Sequence, residues 1–595
     1  MNTNTSTQRW GFTRAIGLAM VASLGAACGG GGEAIPPPDL GLNEGFDDLT
    51  GAALTDLSSQ CSFSSGTVTL DLNAGDIAIL SRGTTNEIAV NGFPCAEATA
   101  SNTRLITVTG ANGSAETLIL DYQGGLFAAG RSSTVGISVD LGTGADSLRI
   151  RGSTGVDRIT MGADGIAVNT DSTPDIAYTD ESIVISLGAG NDFFSGAGGN
   201  GTGTALTSSV AVYGGLGNDT LRGGTGDDTL YGGEGNDTFT SGATDDGADT
   251  FHGGDGTDLA DYSTRTSSTS SVTVTIDNVA DDGIAGENDN VRTDVENVRG
   301  TSADDTITGS DENNVLSGGP GNDTIMGGDG DDTLNGDAGD DIFMTDTATD
   351  GADVFAGGAG TDTVNTSSRS ADQTITVDGR ANDGIAGEDD NVRTDVENII
   401  GGAGDDTITG GSGANRIDGR GGDDTISGGA GNDTLIGGLG DDTLNGDAGN
   451  DTFVSTSTDG ADVMAGGIGT DTVDYSARTA SVTVTLDDQD DDGGVNEDDQ
   501  VNDDIENILT GDGDDVITGS DSNNVINSGA GADTIDGAGG NDTISGGNGN
   551  DTVDGGDGDD TVDGQAGTDT IDCGAGQGDI CADPADCGSA TACEL

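Results

Sequence analysis

A single large apolar residue recurs at every ninth position over long stretches of the chain. From Gly214 three nine-residue units follow one another without a gap, and their eighth positions are Leu221, Leu230 and Phe239. Thr precedes each of these residues, and most other positions are Gly, Asp or Asn. One apolar side chain between polar neighbours predicts a very short strand with one residue facing inward. Further units of this kind occur at residues 318–344, 401–454 and 511–572.

A longer period of about a hundred residues is superimposed on the period of nine. It is marked by Asp294-Val-Glu-Asn297, Asp395-Val-Glu-Asn398 and Asp504-Ile-Glu-Asn507. Each block opens with an alternating segment, passes an acidic loop and then enters the nine-residue units. The alternation predicts strands at residues 272–276, 374–377 and 482–486. We therefore expect three copies of one module.

The upstream part of the chain carries a weaker form of the same pattern. Segments ending at Asp146-Ser-Leu148, Asp157-Arg-Ile159 and Asp192-Phe-Phe194 keep the fourth, sixth and eighth positions but lose Gly elsewhere. A degenerate solenoid is therefore predicted to begin near residue 141. Residues 60–140 alternate apolar and polar side chains between Gly and Asn turns, which predicts β structure that caps the solenoid.

Composition excludes several classes of partner. The 595 residues include 109 Gly, and 106 acidic side chains stand against 18 basic ones, for a formal net charge of -88. Nucleic acid and anionic membrane surfaces would be repelled by such a chain. Low hydrophobicity with high charge is also typical of disorder. A disordered tail, however, has no need of acids at fixed intervals, so the regular spacing favours a fold that depends on metal.

The units resemble the nonapeptide of RTX proteins, also called haemolysin-type calcium-binding repeats. Gly at the first, second and fourth places is expected to give positive φ and to turn carbonyls inward. Carbonyl oxygens and the sixth-place carboxylate are hard donors that suit calcium. The resemblance implies an all-β fold, a parallel β-roll or β-solenoid with an N-terminal β cap, in which two units make one coil and calcium lies between successive turns.

The same resemblance implies which residues hold the metal. The sixth-place ligands would be Asp219, Asp228, Asp237, Asp323, Asp332, Asp341, Asp406, Asp424, Asp433, Asp442, Asp451, Asp533, Asp542, Asp551 and Asp560.

Asn replaces Asp at this place in one unit of each block, at Asn314, Asn415 and Asn524, where a weaker or empty site is expected. Because stacked carboxylates repel one another, we expect the metal-free chain to be largely unfolded and to gain β structure with calcium.

The acidic loops leave three interpretations open. Asp488-Gln-Asp-Asp-Asp-Gly493 matches the opening of an EF-hand calcium loop, with Asp499 where a Glu normally closes it, but no flanking helices are predicted. A solvated acidic turn and an additional weak calcium site are the alternatives.

The N-terminus predicts export. Arg9 and Arg14 precede an apolar run at residues 15–24, as in a secretory signal. The segment ending at Cys28 resembles a bacterial lipobox, which implies lipidation of Cys28 and attachment to a membrane only through that lipid. We thus expect an outer-membrane lipoprotein at the cell surface, or an extracellular protein. The other cysteines are Cys61 and Cys95 near the start and Cys573, Cys581, Cys587 and Cys593 near the end, where disulfides would stabilise the solenoid ends.

These observations give the predicted domain organisation. The segments are a signal peptide (1–28), a flexible tether (29–59), the β cap (60–140), a degenerate solenoid (141–212), a first repeat block (213–262), three modules (263–365, 366–475 and 476–572) and a Cys-rich C-terminal cap (573–595).

A catalytic domain is not predicted. His252 is the only histidine, which excludes His-Glu-x-x-His metalloprotease chemistry, and no Gly-x-Ser-x-Gly motif occurs. Carboxylate pairs abound, but the only tryptophan, Trp10, lies in the signal segment, so no aromatic platform for a sugar is expected. We predict a calcium-binding protein that is not an enzyme. The alternatives are a calcium-stabilised adhesin or surface-layer component that contacts a cell-surface protein or glycan and, less favoured, a secreted hydrolase or toxin.

Overall fold

The computed structural model describes residues 54–124, 136–168, 174–179, 182–199, 201–267, 270–456, 459–495 and 497–581. These residues form an almost entirely β structure, and the one helical element among them is a short 3₁₀ turn at Ser58–Gln60. The predicted signal segment, Cys28, Cys587 and Cys593 lie outside the described residues. Within the described part of the chain, no helix has the length and apolar character needed to cross a membrane.

The nine-residue pattern gives the short strands that it predicts. In Thr238–Thr240 the central Phe239 is fully buried, while the two Thr residues are half-buried. The eighth-place residues Leu221 and Leu230 are fully buried in the same way. Because the interior holds one large side chain per strand, the core is a continuous column rather than a compact centre.

Strands pair in parallel with a register of one coil, which is two units. Leu221 pairs with Phe239 in one sheet, and Leu230 pairs with Phe251 in the sheet across the core. Successive units therefore alternate between two facing sheets. This confirms the predicted parallel β-roll. Parallel pairing of the same kind already joins Thr67–Asp71 to Leu105–Thr109, upstream of residue 141.

Six sheets contain all strands of the described residues. In order of pairing, the first sheet contains Cys61–Ser64, Thr67–Asp71, Leu105–Thr109, Gly136–Asp140, Ile176–Ala177, Gly165–Ala167, Arg158–Gly162, Phe193–Ser195, Thr220–Arg222, Thr238–Thr240, Leu259–Asp261, Asn297–Arg299, Val315–Pro320, Thr333–Ala338, Val354–Ala359 and Asn391–Val392. The second contains Asn290–Val291, Thr250–Asp255, Thr229–Glu234, Val210–Leu216, Ser182–Ala189, Ser147–Arg151, Thr117–Asp121, Ile77–Arg82, Glu87–Val90 and Phe93–Thr99. The third contains Gly283–Ile284, Val272–Thr275, Thr306–Thr308, Thr324–Met326, Ile342–Met344, Thr363–Asn365, Asn398–Ile400, Arg416–Gly421, Thr434–Leu439, Thr452–Val454, Thr472–Asp474, Asn507–Leu509, Val525–Asn527, Thr543–Ser545, Thr561–Asp563 and Ile580–Cys581. The fourth contains Gly384–Ile385, Gln373–Thr376, Thr407–Thr409, Thr425–Ser427, Thr443–Asn445, Val463–Ala465, Asp499–Val501 and Asp490–Asp492. The fifth contains Thr483–Thr485, Val516–Thr518, Thr534–Asp536, Thr552–Asp554 and Thr570–Asp572, and the sixth contains Asn548–Gly549 and Ala566–Gly567.

Each module begins with an insertion that ends one sheet and starts another. In the first insertion, Val272–Thr275 pairs antiparallel with Gly283–Ile284 and parallel with Thr306–Thr308, which starts the third sheet. Asn290–Val291 in the same insertion pairs with Thr250–Asp255 and ends the second sheet. The later insertions repeat this arrangement, so the alternating segments continue the roll instead of packing beside it.

A buried arginine fixes each insertion to the roll. Arg369 has no exposed side-chain surface, and its guanidinium contacts Asp350 (2.5 Å) and Glu388 (2.8 Å), which are also buried. Arg265 forms the corresponding pairs in the first insertion, and Arg478 forms them in the third. A buried charge needs such partners because its transfer out of water is costly. The nine-residue pattern gives no indication of these three arginines.

Disulfide bonds lie near both ends of the described solenoid. Cys61 is bonded to Cys95, which joins two edge strands of the N-terminal region. Cys573 and Cys581 are also disulfide-bonded. His252 stacks on Tyr231 with a ring-centroid distance of 4.4 Å, and Tyr231 stacks on Tyr213 at the same distance. The half-buried histidine is thus part of an aromatic row on one sheet.

Replacement of Arg369 by Met should lower the free energy of unfolding by roughly 3–5 kcal/mol, because Asp350 and Glu388 would remain buried without a counter-charge. Arg380→Met is the matched control in the same insertion, since the Arg380 side chain is 80% exposed and should contribute less than about 1 kcal/mol. Urea unfolding of both variants at saturating calcium measures the difference. Equal stability of the two variants would show that the buried cluster does not stabilise the insertion.

Candidate metal sites in the turns

The fifteen predicted sixth-place aspartates lie buried in the turns, with at most 1% of their surface exposed. Sixth-place aspartates that lie one coil apart on the same side of the solenoid form a row. Successive aspartates of a row are connected by a hydrogen bond from a backbone N–H to a carboxylate oxygen. The N–H of Asp219 donates to Oδ1 of Asp237 (2.7 Å), and the N–H of Asp237 donates to Oδ1 of Asp258 (2.7 Å). One carboxylate oxygen of each residue therefore connects its coil to the preceding one.

The other carboxylate oxygen is unpaired in most of these residues. Within the described residues, Oδ2 is buried and has no hydrogen-bond partner in Asp219, Asp237, Asp323, Asp332, Asp341, Asp424, Asp433, Asp442, Asp451, Asp533, Asp542, Asp551 and Asp560. A buried anionic oxygen without a partner is strongly unfavourable. Its recurrence at one place in the repeat indicates that a cation belongs there.

Backbone carbonyls and the unpaired oxygen crowd the glycines of each turn. A Cβ atom added to Gly232, at the first place, would lie 2.2 Å from Oδ2 of Asp237 and 2.7 Å from the carbonyl oxygen of Gly253 in the next coil. A Cβ on Gly235, at the fourth place, would lie 2.0 Å from the carbonyl oxygen of Gly217. Glycine is therefore required because oxygens crowd its α-carbon. The prediction of positive φ is correct for Gly235 (φ +137°) but wrong for first-place Gly232, where only this crowding acts.

Asp228 and Asp406 differ from the other predicted residues. Oδ2 of Asp228 accepts the N–H of Gly224 (2.6 Å), and its Oδ1 accepts the N–H of Val210 (2.7 Å). Both oxygens of Asp406 are likewise hydrogen-bonded to backbone amides. Each residue lies in the first regular turn of its row, and its Oδ2 accepts the N–H of the second-place glycine of the same unit. Their carboxylates are therefore less available to a metal.

Six further aspartates share the buried, unpaired Oδ2 but are absent from the predicted set. They are Asp192, Asp258, Asp362, Asp471, Asp515 and Asp569. Most of them occur in units with Thr at the fifth place or a substituted Gly, or next to an insertion. The Gly-x-Asp spacing of the fourth and sixth places is intact in all six, so it was the signal that could have identified them.

The three predicted Asn exceptions have a specific geometry. The Nδ2 group of Asn415 donates to the carbonyl oxygen of Glu397 (2.8 Å). Asn314 and Asn524 make the same bond to Glu296 and Glu506, at 2.6 and 2.9 Å. At these places an amide N–H thus satisfies the carbonyl that would otherwise face a cation.

Burial raises the pKa of the aspartates in the turns. Loss of solvent raises the pKa of Asp219 to about 7, and the neighbouring carboxylates Asp192 and Asp237 add to this rise. The same causes raise the pKa of Asp323 and of Asp424 to about 7. Ionised carboxylates therefore need a nearby positive charge to remain in the folded turns at neutral pH.

The donor set of a turn fits calcium. Within the described residues, no three His, Cys, Asp or Glu side chains converge on one point. A cation between coils would accordingly bind one or two carboxylate oxygens together with backbone carbonyls. All of these are hard oxygen donors, which suit calcium better than zinc or copper.

The third acidic loop does not form an EF-hand. Oδ1 and Oδ2 of Asp492 accept the N–H groups of Thr485 and Val501, and Asp499 accepts the N–H of Asp462 and the hydroxyl of Tyr475. Asp490–Asp492 pairs antiparallel with the strand that contains Asp499. These carboxylates organise the insertion, as the buried arginine does.

A ladder of fifth-place side chains was also missed. Oδ1 of Asn218 accepts the N–H of Asn236 (3.1 Å), and Oδ1 of Asn236 accepts the N–H of Thr257 (3.3 Å). The preference for Asn or Asp at the fifth place was the available signal. These residues are exposed, so they support the turn without facing its interior.

Comparison with known proteins agrees with this geometry. The family model for the RTX calcium-binding nonapeptide repeat matches residues 184–202, 213–260, 299–368, 394–453, 456–477 and 502–579, about half of the chain. No curated protein shows significant sequence similarity to the chain. The matching model describes a repeat that binds Ca²⁺, and proteins with this repeat are generally secreted or extracellular. Buried aspartates, glycine-lined carbonyl turns and these matches together place the chain in the family of RTX calcium-binding repeat proteins.

Proposed function

We propose that this chain is an exported, non-catalytic scaffold that folds when calcium binds in its turns. The sixth-place aspartates with an unpaired Oδ2 are its ligands, together with first-place glycine carbonyls of the adjacent coil. The observation that carries this proposal is the buried, unpaired Oδ2 repeated along every row. Calcium supplies the positive charge that those oxygens lack.

Export fits this chemistry. Extracellular calcium-binding modules work with dissociation constants of about 10⁻⁴–10⁻³ M, whereas free calcium in the cytosol is far lower. The chain would therefore fold after it leaves the cytosol, directed by its N-terminal segment. Acylation of Cys28 would then hold it at the outer surface of the cell.

The family match concerns a calcium-binding repeat and not a catalytic domain. Among the described residues, the buried carboxylates of the turns and insertions are hydrogen-bonded to the backbone, ion-paired or covered by glycine turns. None of these arrangements gives a carboxylate access to a substrate. This supports a structural role for calcium.

Removal of calcium should unfold most of the mature chain, because the turns would then hold uncompensated buried carboxylates. Circular dichroism during a calcium titration should show a transition from coil to β structure in the millimolar range or below. A metal-free sample that is already β-rich and resistant to protease would contradict the proposal. Magnesium at the same ionic strength is the control for simple screening of charge.

Asp332→Asn should weaken calcium-induced folding, whereas Asp331→Asn in the same unit should not. Asp332 is buried with an unpaired Oδ2, while Asp331 is exposed and only accepts a backbone N–H through Oδ1, which Asn preserves. Loss of the buried charge should cost on the order of 1–3 kcal/mol at saturating calcium. The calcium midpoint and the urea midpoint measure this cost. Equal effects of the two substitutions would argue against sixth-place ligation.

Asn415→Asp should convert an amide-closed turn into a calcium-dependent one. The new carboxylate would face the carbonyl of Glu397 and could be neutralised only by a cation. We expect one additional calcium ion per chain and a less stable protein at low calcium. Equilibrium dialysis gives the count, with Asn432→Asp at an exposed fifth place as the control. An unchanged count would mean that this turn cannot hold an ion.

A further inference from the structure

The Asp-Val/Ile-Glu-Asn motif stands where a row of nonapeptide turns meets an insertion. The N–H of Asp258 donates to Oε2 of Glu296 (2.7 Å), whereas in a regular row it would donate to the Oδ1 of the next sixth-place aspartate. The N–H groups of Asp362 and Asp471 donate in the same way to Glu397 (2.9 Å) and Glu506 (2.8 Å). The motif therefore takes the place of the next turn. We call the three places the junctions.

Each junction keeps a buried carboxylate oxygen without a partner. Asp258, Asp362 and Asp471 have no exposed surface, and among the described residues the Oδ2 of each has no hydrogen-bond partner. In the regular rows this oxygen faces the carbonyl of a first-place glycine. At a junction no such glycine follows, so another group must face it.

The carbonyl of the motif's first residue is that group. A Cβ added to Gly253 would lie 1.7 Å from the carbonyl oxygen of Asp294 and 2.4 Å from Oδ2 of Asp258. At the second junction a Cβ on Gly357 would lie 2.2 Å from the carbonyl oxygen of Asp395 and 2.4 Å from Oδ2 of Asp362. A carbonyl and a carboxylate oxygen thus flank one point, as they do in the regular turns.

The first two junctions carry a second carboxylate. Oδ1 of Asp294 and Oδ1 of Asp395 are buried and, within the described residues, lack hydrogen-bond partners. The nearby charge of Asp294 also contributes, after burial, Asp237 and Glu296, to the raised pKa of Asp258. The third junction differs because Asp504 accepts the N–H groups of Gly466 (2.9 Å) and Gly467 (2.8 Å).

On the opposite side of the motif, a side-chain amide satisfies the backbone carbonyl, so no cation is needed there. The carbonyl oxygen of Glu296 accepts the Asn314 side-chain amide, and Glu397 and Glu506 accept the corresponding Asn residues. The first two motifs therefore have one face that is satisfied by an amide and one face that presents an unpaired carboxylate oxygen.

We infer that Asp258 with Asp294, and Asp362 with Asp395, form two additional divalent-cation sites that connect successive modules, each closed by the motif's carbonyl. The third junction, with Asp471 as its one available carboxylate, is a weaker site. Hard oxygen donors select calcium here as in the turns. This inference rests on the proposed ligation in the regular rows, but it assigns a different donor set and a different place.

The test compares bound calcium in full-length mature variants by equilibrium dialysis at saturating calcium. Asp294→Asn/Asp395→Asn should lose two ions per chain relative to the wild type. Asp304→Asn/Asp405→Asn, which changes two exposed fifth-place residues, is the matched control and should keep the wild-type count. Asp237→Asn/Asp341→Asn reports on the regular rows and should lose ions by the proposed function alone.

The outcomes separate the two proposals. A wild-type count in Asp294→Asn/Asp395→Asn, with loss in Asp237→Asn/Asp341→Asn, would overturn the junction sites and leave the proposed function intact. No loss in either variant would overturn both. Asp258→Asn/Asp362→Asn is the second junction variant, because each Asn keeps the Oδ1 that accepts the preceding coil's N–H. A wild-type count in either junction variant that reaches wild-type ellipticity would overturn the inference.

Discussion

The structure depends on buried aspartate carboxylates whose two oxygens have different surroundings. One oxygen of each accepts a backbone N–H from the preceding coil, and the other faces carbonyls without a donor. The first contact aligns the coils, and the second makes that alignment unfavourable until a positive charge arrives. In the proposed function, stacking and metal dependence therefore arise from the same side chain. No other feature of the repeat has a comparable effect, since each strand buries only one large apolar residue.

The chain neutralises buried acids in two ways. In the turns the positive charge must come from solution, whereas in the insertions it is built in as Arg265, Arg369 or Arg478. An arginine is always charged and always present. The buried acids that pair with these arginines are thus neutralised without calcium, while the sixth-place acids of the rows between the insertions are not. This explains why a chain with only 18 basic residues buries three of them within its described part.

Most of the fold was predictable because the repeat is local. The period of nine fixes the strand, the inward residue and the turn, and the buried Phe239 and the sixth-place aspartates follow directly. Non-local features were not predictable. The buried partner of Arg369 lies nineteen residues away along the chain in an acidic loop, and nothing in the local pattern distinguishes Glu388 from a solvated acid. The double hydrogen bonding of Asp228 and Asp406 depends on the N–H groups of Val210 and Gln373, which stacking brings from distant parts of the chain. The recurrence of an Arg near the start of each module, at Arg265, Arg369 and Arg478, was the clue that the pattern offered.

The exchange of sheets at the insertions has a mechanical consequence. The first sheet extends from Cys61 to Val392 and the third from Val272 to Cys581, so the two overlap over residues 272–392, in the first module and the start of the second. Where the second sheet ends, the first continues, and where the first ends, the third continues. The ends of neighbouring sheets therefore fall at different insertions. A tensile load along the solenoid axis therefore meets an unbroken hydrogen-bonded sheet at every insertion.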